Sequence, residues 1–151
     1  LIHGVEIKPL IVHADERGFF TELFREDDPQ YTRFGQANLS LNYPEVIRAW
    51  HWHNEQEDLW TVVSGMIKAV LYDPREGSPT QGEVQEVFLG EHNRALLRIP
   101  IGVIHGYKTI GAEPSLLVYF VTKVYDRNNP DEERLPWNTS EIPYSWDIKL
   151  H

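Results

Sequence analysis

Apolar residues recur at every second position in short runs along this chain, and no segment holds a helical period for more than two turns. Successive side chains of an extended backbone point to opposite faces, so such alternation prescribes strands with one buried face. It runs through Phe19–Phe24, Val46–His53, Leu59–Val63, Met66–Tyr72, Val84–Leu89, Ala95–Ile99, Gly106–Ile110 and Leu116–Val124. Loops are marked by Asp73-Pro74 with Gly77, Ser78 and Pro79, by Gly111 to Pro114, and by Asn128 to Pro130. A short helical turn is expected only around Asp28–Arg33. An all-β barrel or jelly roll follows.

The 151 residues, 41% of them hydrophobic, supply one sizeable core, and neither an internal repeat nor a low-complexity linker divides them. One domain over residues 1–151 is therefore expected, with its barrel at about 15–125 and an irregular segment at 126–151. Aromatic residues crowd the stretch from Trp137 to His151, which should pack across the barrel's outside.

A formal charge of −9 argues against nucleic acid or an anionic membrane as partner, so an anionic small ligand would need locally placed arginines. Zero cysteines exclude disulfides and thiolate zinc sites. No apolar run approaches the roughly 18 residues of a membrane span, and no charged-then-apolar leader opens the chain. A cytoplasmic location is the expectation.

His51-Trp52-His53 is the sharpest local feature, because strand residues at i and i+2 share a face and can converge on one point. Asp58 and Gly65 follow, and far downstream comes Pro100-Ile101-Gly102-Val103-Ile104-His105. Together these stretches resemble the two-part signature of the cupin superfamily, which implies a double-stranded β-helix jelly roll. In its metal-binding members the matching side chains, here His51, His53, Asp58 and His105, hold one first-row divalent ion, as imidazole and carboxylate ligands suit.

A closer resemblance covers most of the chain, from Asp15 to Trp137. The block Asp15-Glu16-Arg17-Gly18-Phe19-Phe20-Thr21-Glu22 is similar to a hallmark of the dTDP-4-dehydrorhamnose 3,5-epimerases. Further similarity lies in Gln36, Asn38 and Ser40, in Ile47-Arg48-Ala49-Trp50-His51, in Ser78-Pro79-Thr80, and in Asn93-Arg94 leading to Pro100. His105-Gly106-Tyr107, Tyr119, Tyr125, Pro130, Glu132 and Trp137-Asn138 complete it. The resemblance implies epimerisation of a 4-keto-6-deoxyhexose nucleotide without a cofactor, with His51 as base and Tyr119 as acid. It also implies that Arg17, Glu22, Gln36, Asn38, Arg48 and Tyr125 hold the nucleotide, that His105 shares their pocket, and that a homodimer forms by exchange of the strand bearing Arg17 and Glu22.

Parity alone fits Tyr119 and Tyr125 to a core as readily as to a site, because both share a face with Leu117 and Val121. Arg48 has opposite parity to His51, so both enter one pocket only through a bulge.

The sequence also departs from the epimerase pattern. Asp58 stands where the family has a lysine that would stabilise the enolate oxygen, and His53 stands in place of a glutamine. Ala69 occupies the place of one acidic partner of the active-site histidines, so those histidines are expected to lack orienting carboxylates. Three readings follow: an epimerase or related isomerase, a metal-dependent cupin, and a non-catalytic nucleotide-sugar binder.

Overall fold

A computed structural model describes residues 1–151. The alternating runs become antiparallel strands, and the chain contains no helix. One sheet has the order β1-β9-β6-β11-β4, comprising Glu6–Pro9, Ala95–Ile99, Asp58–Ser64, Ser115–Val121 and Gln36–Asn42. The facing sheet has the order β12-β5-β10-β7-β8, comprising Glu133–Arg134, Ile47–Trp52, Ile104–Ile110, Met66–Tyr72 and Val84–Gly90. A small hairpin, β2 (His13–Asp15) with β3 (Gly18–Phe20), stands apart from both. The fold is the all-β, cupin-type jelly roll that the alternation and the signature residues point to.

Between the sheets the inward residues of β6, β7, β8, β9 and β10 pack into one core that includes Trp60, Ile67, Leu71, Leu89, Leu97 and Tyr107. Burying each such side chain contributes about 1.5–3 kcal/mol. A second cluster forms on the outer face of β5, β7 and β10, where Trp50, Val70 and Ile104 are covered by Ile142 and Trp146 of the C-terminal segment. The aromatic tail therefore shields the back of the strand that carries His51 on its front.

Several boundaries differ from the sequence reading. The strand expected over Phe19–Phe24 ends at Phe20, and Asp28–Arg33 forms turns rather than a helical segment. The sheets also reach beyond residues 15–125, because β1 pairs with β9 and β12 pairs with β5. β4 falls outside the runs expected from the sequence, because its strict alternation is inverted, with polar residues on the inward face. Gln36, Asn38, Ser40 and Asn42 turn inward or are buried, while Leu39 and Leu41 are exposed at the sheet's edge.

Two glycines are required by the geometry. Gly65 joins β6 to β7 with φ near 72°, and a Cβ there would lie 2.2 Å from the Pro114 carbonyl oxygen. Gly106 on β10 faces β5 so closely that a Cβ would meet that of Ala49 at 2.4 Å. This close approach lies where the register slips, since His105 pairs with His51 but Tyr107 pairs with Arg48. The extra residue in β5 is the bulge required for Arg48 and His51 to enter one pocket. The Ala49–Trp50 peptide within it is cis.

Candidate active site

The open half of the barrel holds a cavity of about 550 Å³, bounded towards the core by Trp60, Tyr107 and Leu117. Of the residues singled out in the sequence, Gln36, Asn38, Arg48, His51, His53, Asp58, His105, Tyr119 and Tyr125 all line it. β4 supplies Gln36 and Asn38, whose polar side chains reach inward where a packed sheet would present apolar ones. The Gln36 amide donates to Asn38 Oδ1 at 2.8 Å and its carbonyl accepts from the Tyr125 backbone N–H at 2.8 Å, which fixes both against the mouth.

Arg17 and Glu22 do not reach this cavity. Arg17 projects from the β2–β3 hairpin, is 86% exposed and pairs with Asp15 at 2.6 Å. Glu22 pairs with Arg25 at 3.0 Å. Within one chain, therefore, neither residue lines the cavity shared by Gln36, Asn38, Arg48, His51, His105, Tyr119 and Tyr125.

His51 and Tyr119 belong to opposite sheets and face the same space. Burial pushes the His51 pKa down, against the nearby charge of Glu132, so the imidazole is neutral and able to accept a proton. Its Nδ1 lies 3.4 Å from Glu132 Oε1 and has no hydrogen-bond partner, leaving the carboxylate poised to take up the N–H when the ring rotates or charges. Burial raises the Tyr119 pKa, and Asp58 adds to the effect, so the phenol keeps its proton for donation.

The expected absence of orienting carboxylates is corrected for His51. Glu132 serves His51, although it lies 81 residues away and its neighbour Glu133 is the one paired with Trp52 in β12. Asp58 Oδ2 stands 3.8 Å from His105 Nε2, and the His105 ring is fixed instead by its Nδ1–H donating to the Val103 carbonyl oxygen at 3.0 Å. Glu132 falls in the stretch that carries the family resemblance, but nothing local gives it a role at His51, because its place depends on β12 joining the far edge of the sheet. Trp137, which is also part of that resemblance, and Arg134, which no motif marked, line the mouth as well.

The four-residue metal set divides. His53, Asp58 and His105 have ligand atoms within 4.8 Å of one another, and His51 is outside this group. His53 Nε2 is 3.6 Å from Asp58 Oδ1. Burial pushes the His105 imidazole down to about 4. Burial also acts against charge on His53, but the hydrogen bond and charge of Asp58 outweigh it and raise that pKa. Asp58 ends below the ordinary carboxylate value, since His53, His105 and Trp60 together overcome its desolvation.

Comparison with known proteins agrees with this architecture. The family model for dTDP-4-dehydrorhamnose 3,5-epimerase matches residues 1–151. The chain is 46% identical to the spore coat polysaccharide biosynthesis protein SpsL of Bacillus subtilis strain 168 over 150 residues, covering 99% of both. A dTDP sugar isomerase from Desulfovibrio desulfuricans G20 superimposes with a TM-score of 0.90 at 34% identity, covering 96% of this chain and 92% of that one. The dTDP-4-dehydrorhamnose 3,5-epimerase of Bacillus anthracis strain Ames, solved with TDP and pyrophosphate bound, gives 0.84 at 26% identity over 97% and 87%. With one family model spanning every residue and the same barrel recurring in its solved relatives, the chain belongs to the dTDP-4-dehydrorhamnose 3,5-epimerase family.

Proposed function

We propose that the protein is a nucleotide-sugar epimerase acting on a 4-keto-6-deoxyhexose attached to a thymidine diphosphate-type nucleotide. The observation that carries this reading is the opposition of a neutral His51 and a protonated Tyr119 across one cavity. His51 takes the proton from a carbon next to the 4-keto group, and the C–H electrons move into the carbonyl to give an enolate. The Tyr119 hydroxyl then delivers a proton to the opposite face of that carbon, which inverts it. Solvent restores both groups, so the reaction is a net isomerisation and consumes nothing.

Gln36, Asn38, Arg48 and Tyr125 are the nucleotide contacts in this reading, with His105 beside the sugar. Arg17 and Glu22 act in the barrel of a second copy, which makes the working unit a homodimer. The exposed Leu39 and Leu41 on the β4 edge and Phe19 and Phe20 on the hairpin are the apolar surface that such a dimer would cover. The family's reaction needs no cofactor, and a nucleotide-sugar substrate supports a cytoplasmic location. No helix of the structure is long and apolar enough to cross a membrane.

Proton NMR in deuterium oxide tests the activity. Incubation with a dTDP-4-keto-6-deoxyglucose should replace the signals of the protons on C3, C5 or both, and His51→Asn should leave them intact. Wild-type enzyme that exchanges neither position would refute the epimerase reading.

A further inference from the structure

We infer that Asn42 and Tyr107 are positioning residues that hold the Arg48 guanidinium, uncompensated by any carboxylate, where it can pair with the phosphates of the substrate's nucleotide. The inference rests on the nucleotide-sugar reading above and adds to it the mount that makes Arg48 an anion contact.

Three basic side chains line the cavity, those of Arg48, Lys123 and Arg134. Lys123 is paired with Glu55, and Arg134 with Glu132 at 2.7 Å. Arg48 has no acidic residue within ion-pair distance, and its one hydrogen bond runs from Nε to Asn42 Oδ1. Of the three, it alone keeps an unanswered charge for an anionic ligand.

The mount crosses the barrel. Asn42 ends β4 in one sheet, whereas Arg48 on β5 and Tyr107 on β10 are cross-strand partners in the other. The slip in register that brings Arg48 and His51 into one cavity is what sets Arg48 opposite Tyr107. Tyr107 packs edge-on against Trp60 with ring centroids 5.4 Å apart, and this core contact anchors its hydroxyl at the cavity floor.

Asn42 is 2% exposed, and its orientation is determined. Its Nδ2 donates to the Tyr107 hydroxyl at 2.6 Å and to Ser40 Oγ at 3.1 Å. With both amide hydrogens engaged there, Oδ1 turns to Arg48, whereas the flipped amide would set donor against donor. A chain of bonds thus passes from a core ring through a buried amide to the guanidinium.

The residue type matters as much as its placement. A carboxylate in place of Asn42 would hold the guanidinium equally well but would cancel its charge, and an apolar side chain would leave a long side chain to wander. The neutral amide fixes Nε and leaves the N–H donors on both Nη atoms for phosphate oxygens. Ordering Arg48 before the ligand arrives also removes part of the entropic cost of binding.

Isothermal titration calorimetry with dTDP, on variants shown to be folded by circular dichroism, tests the mount. Asn42→Leu and Tyr107→Phe should each weaken binding by about three- to tenfold, and Asn42→Asp, which neutralises Arg48, by more than about tenfold. In an Arg48→Gln background Asn42→Leu should cause no further loss, since a positioning residue acts only through the group it positions. With the sugar nucleotide as substrate, the effect of Asn42→Asp should appear in KM far more than in kcat, because the phosphates are remote from the carbon that reacts. Wild type that binds no dTDP, binding that survives Asn42→Asp, or a loss from Asn42→Leu that adds in full to that of Arg48→Gln overturns the inference. The expected losses of dTDP affinity, in a protein whose wild type exchanges no substrate protons, uphold the mount and overturn the epimerase reading.

Discussion

His51 on β5 and His105 on β10 are direct cross-strand partners, yet their imidazoles answer to different carboxylates. His51 Nδ1 faces Glu132 at 3.4 Å, while His105 Nε2 faces Asp58 at 3.8 Å. One strand pair thus carries a ring that keeps a free lone pair in the cavity and a ring fixed by buried neighbours.

Substituting the proposed acid and base should have different signatures. His51→Asn removes the only group assigned to proton abstraction, so both deuterium exchange and product formation should fall by about 10²–10⁴-fold. Tyr119→Phe should retain exchange of the abstracted proton through His51 while product with inverted configuration fails to accumulate. NMR in deuterium oxide reads both quantities in one sample.

Glu132→Gln should lower kcat with little change in KM, because the carboxylate touches the base rather than the substrate. The loss should be about 10²-fold, smaller than the roughly 10⁴-fold known for a fully buried triad aspartate, since the Glu132 side chain is 29% exposed. Steady-state kinetics at saturating substrate measures it.

Asp73 provides a test of stability away from the site. Its buried carboxylate accepts from Arg75 Nε at 2.8 Å, Ser78 Oγ at 2.6 Å and Thr80 Oγ1 at 2.6 Å. Burial opposes the charged form, but these donors win and hold the group well below its ordinary 3.8. Asp73→Asn should therefore cost about 3 kcal/mol at neutral pH. A depressed folded-state pKa contributes stability that is complete above the unfolded value and is lost as pH falls. Urea denaturation should accordingly show the gap between wild type and variant closing below about pH 4.

Trp146→Ala should uncover the outer face of β5. Trp146 packs against Trp50 with ring centroids 5.0 Å apart and planes tilted by 44°, and both rings are buried. A loss of about 3–5 kcal/mol in urea unfolding is expected for such a truncation.

Leu39→Glu places a charge on the exposed edge of β4 without disturbing the core. Size-exclusion chromatography should show the wild type at twice 17.6 kDa and the variant shifted towards the monomer.

Local chemistry made most of the strands readable. Met66–Tyr72 and Ala95–Ile99 fall where their alternation puts them, because strand parity is a property of the backbone and needs no knowledge of partners. The same parity set His51 beside His53, and the glycine, proline and histidine spacings carried the family resemblance. β4 escaped for a physical reason: its inward side chains face a polar cavity, so Gln36, Asn38 and Ser40 stand where a core would require apolar residues.

What the tertiary structure alone decided is the division of labour among the histidines. The register slip in β5 brings Arg48 into the cavity with His51, and pairing of β12 with β5 delivers Glu132 from 81 residues away. His53 instead joins Asp58 and His105, which share no local sequence with it beyond one loop. Side-chain direction is local and can be read along a chain, whereas which directions converge depends on strand pairing and register, set only when distant segments pack.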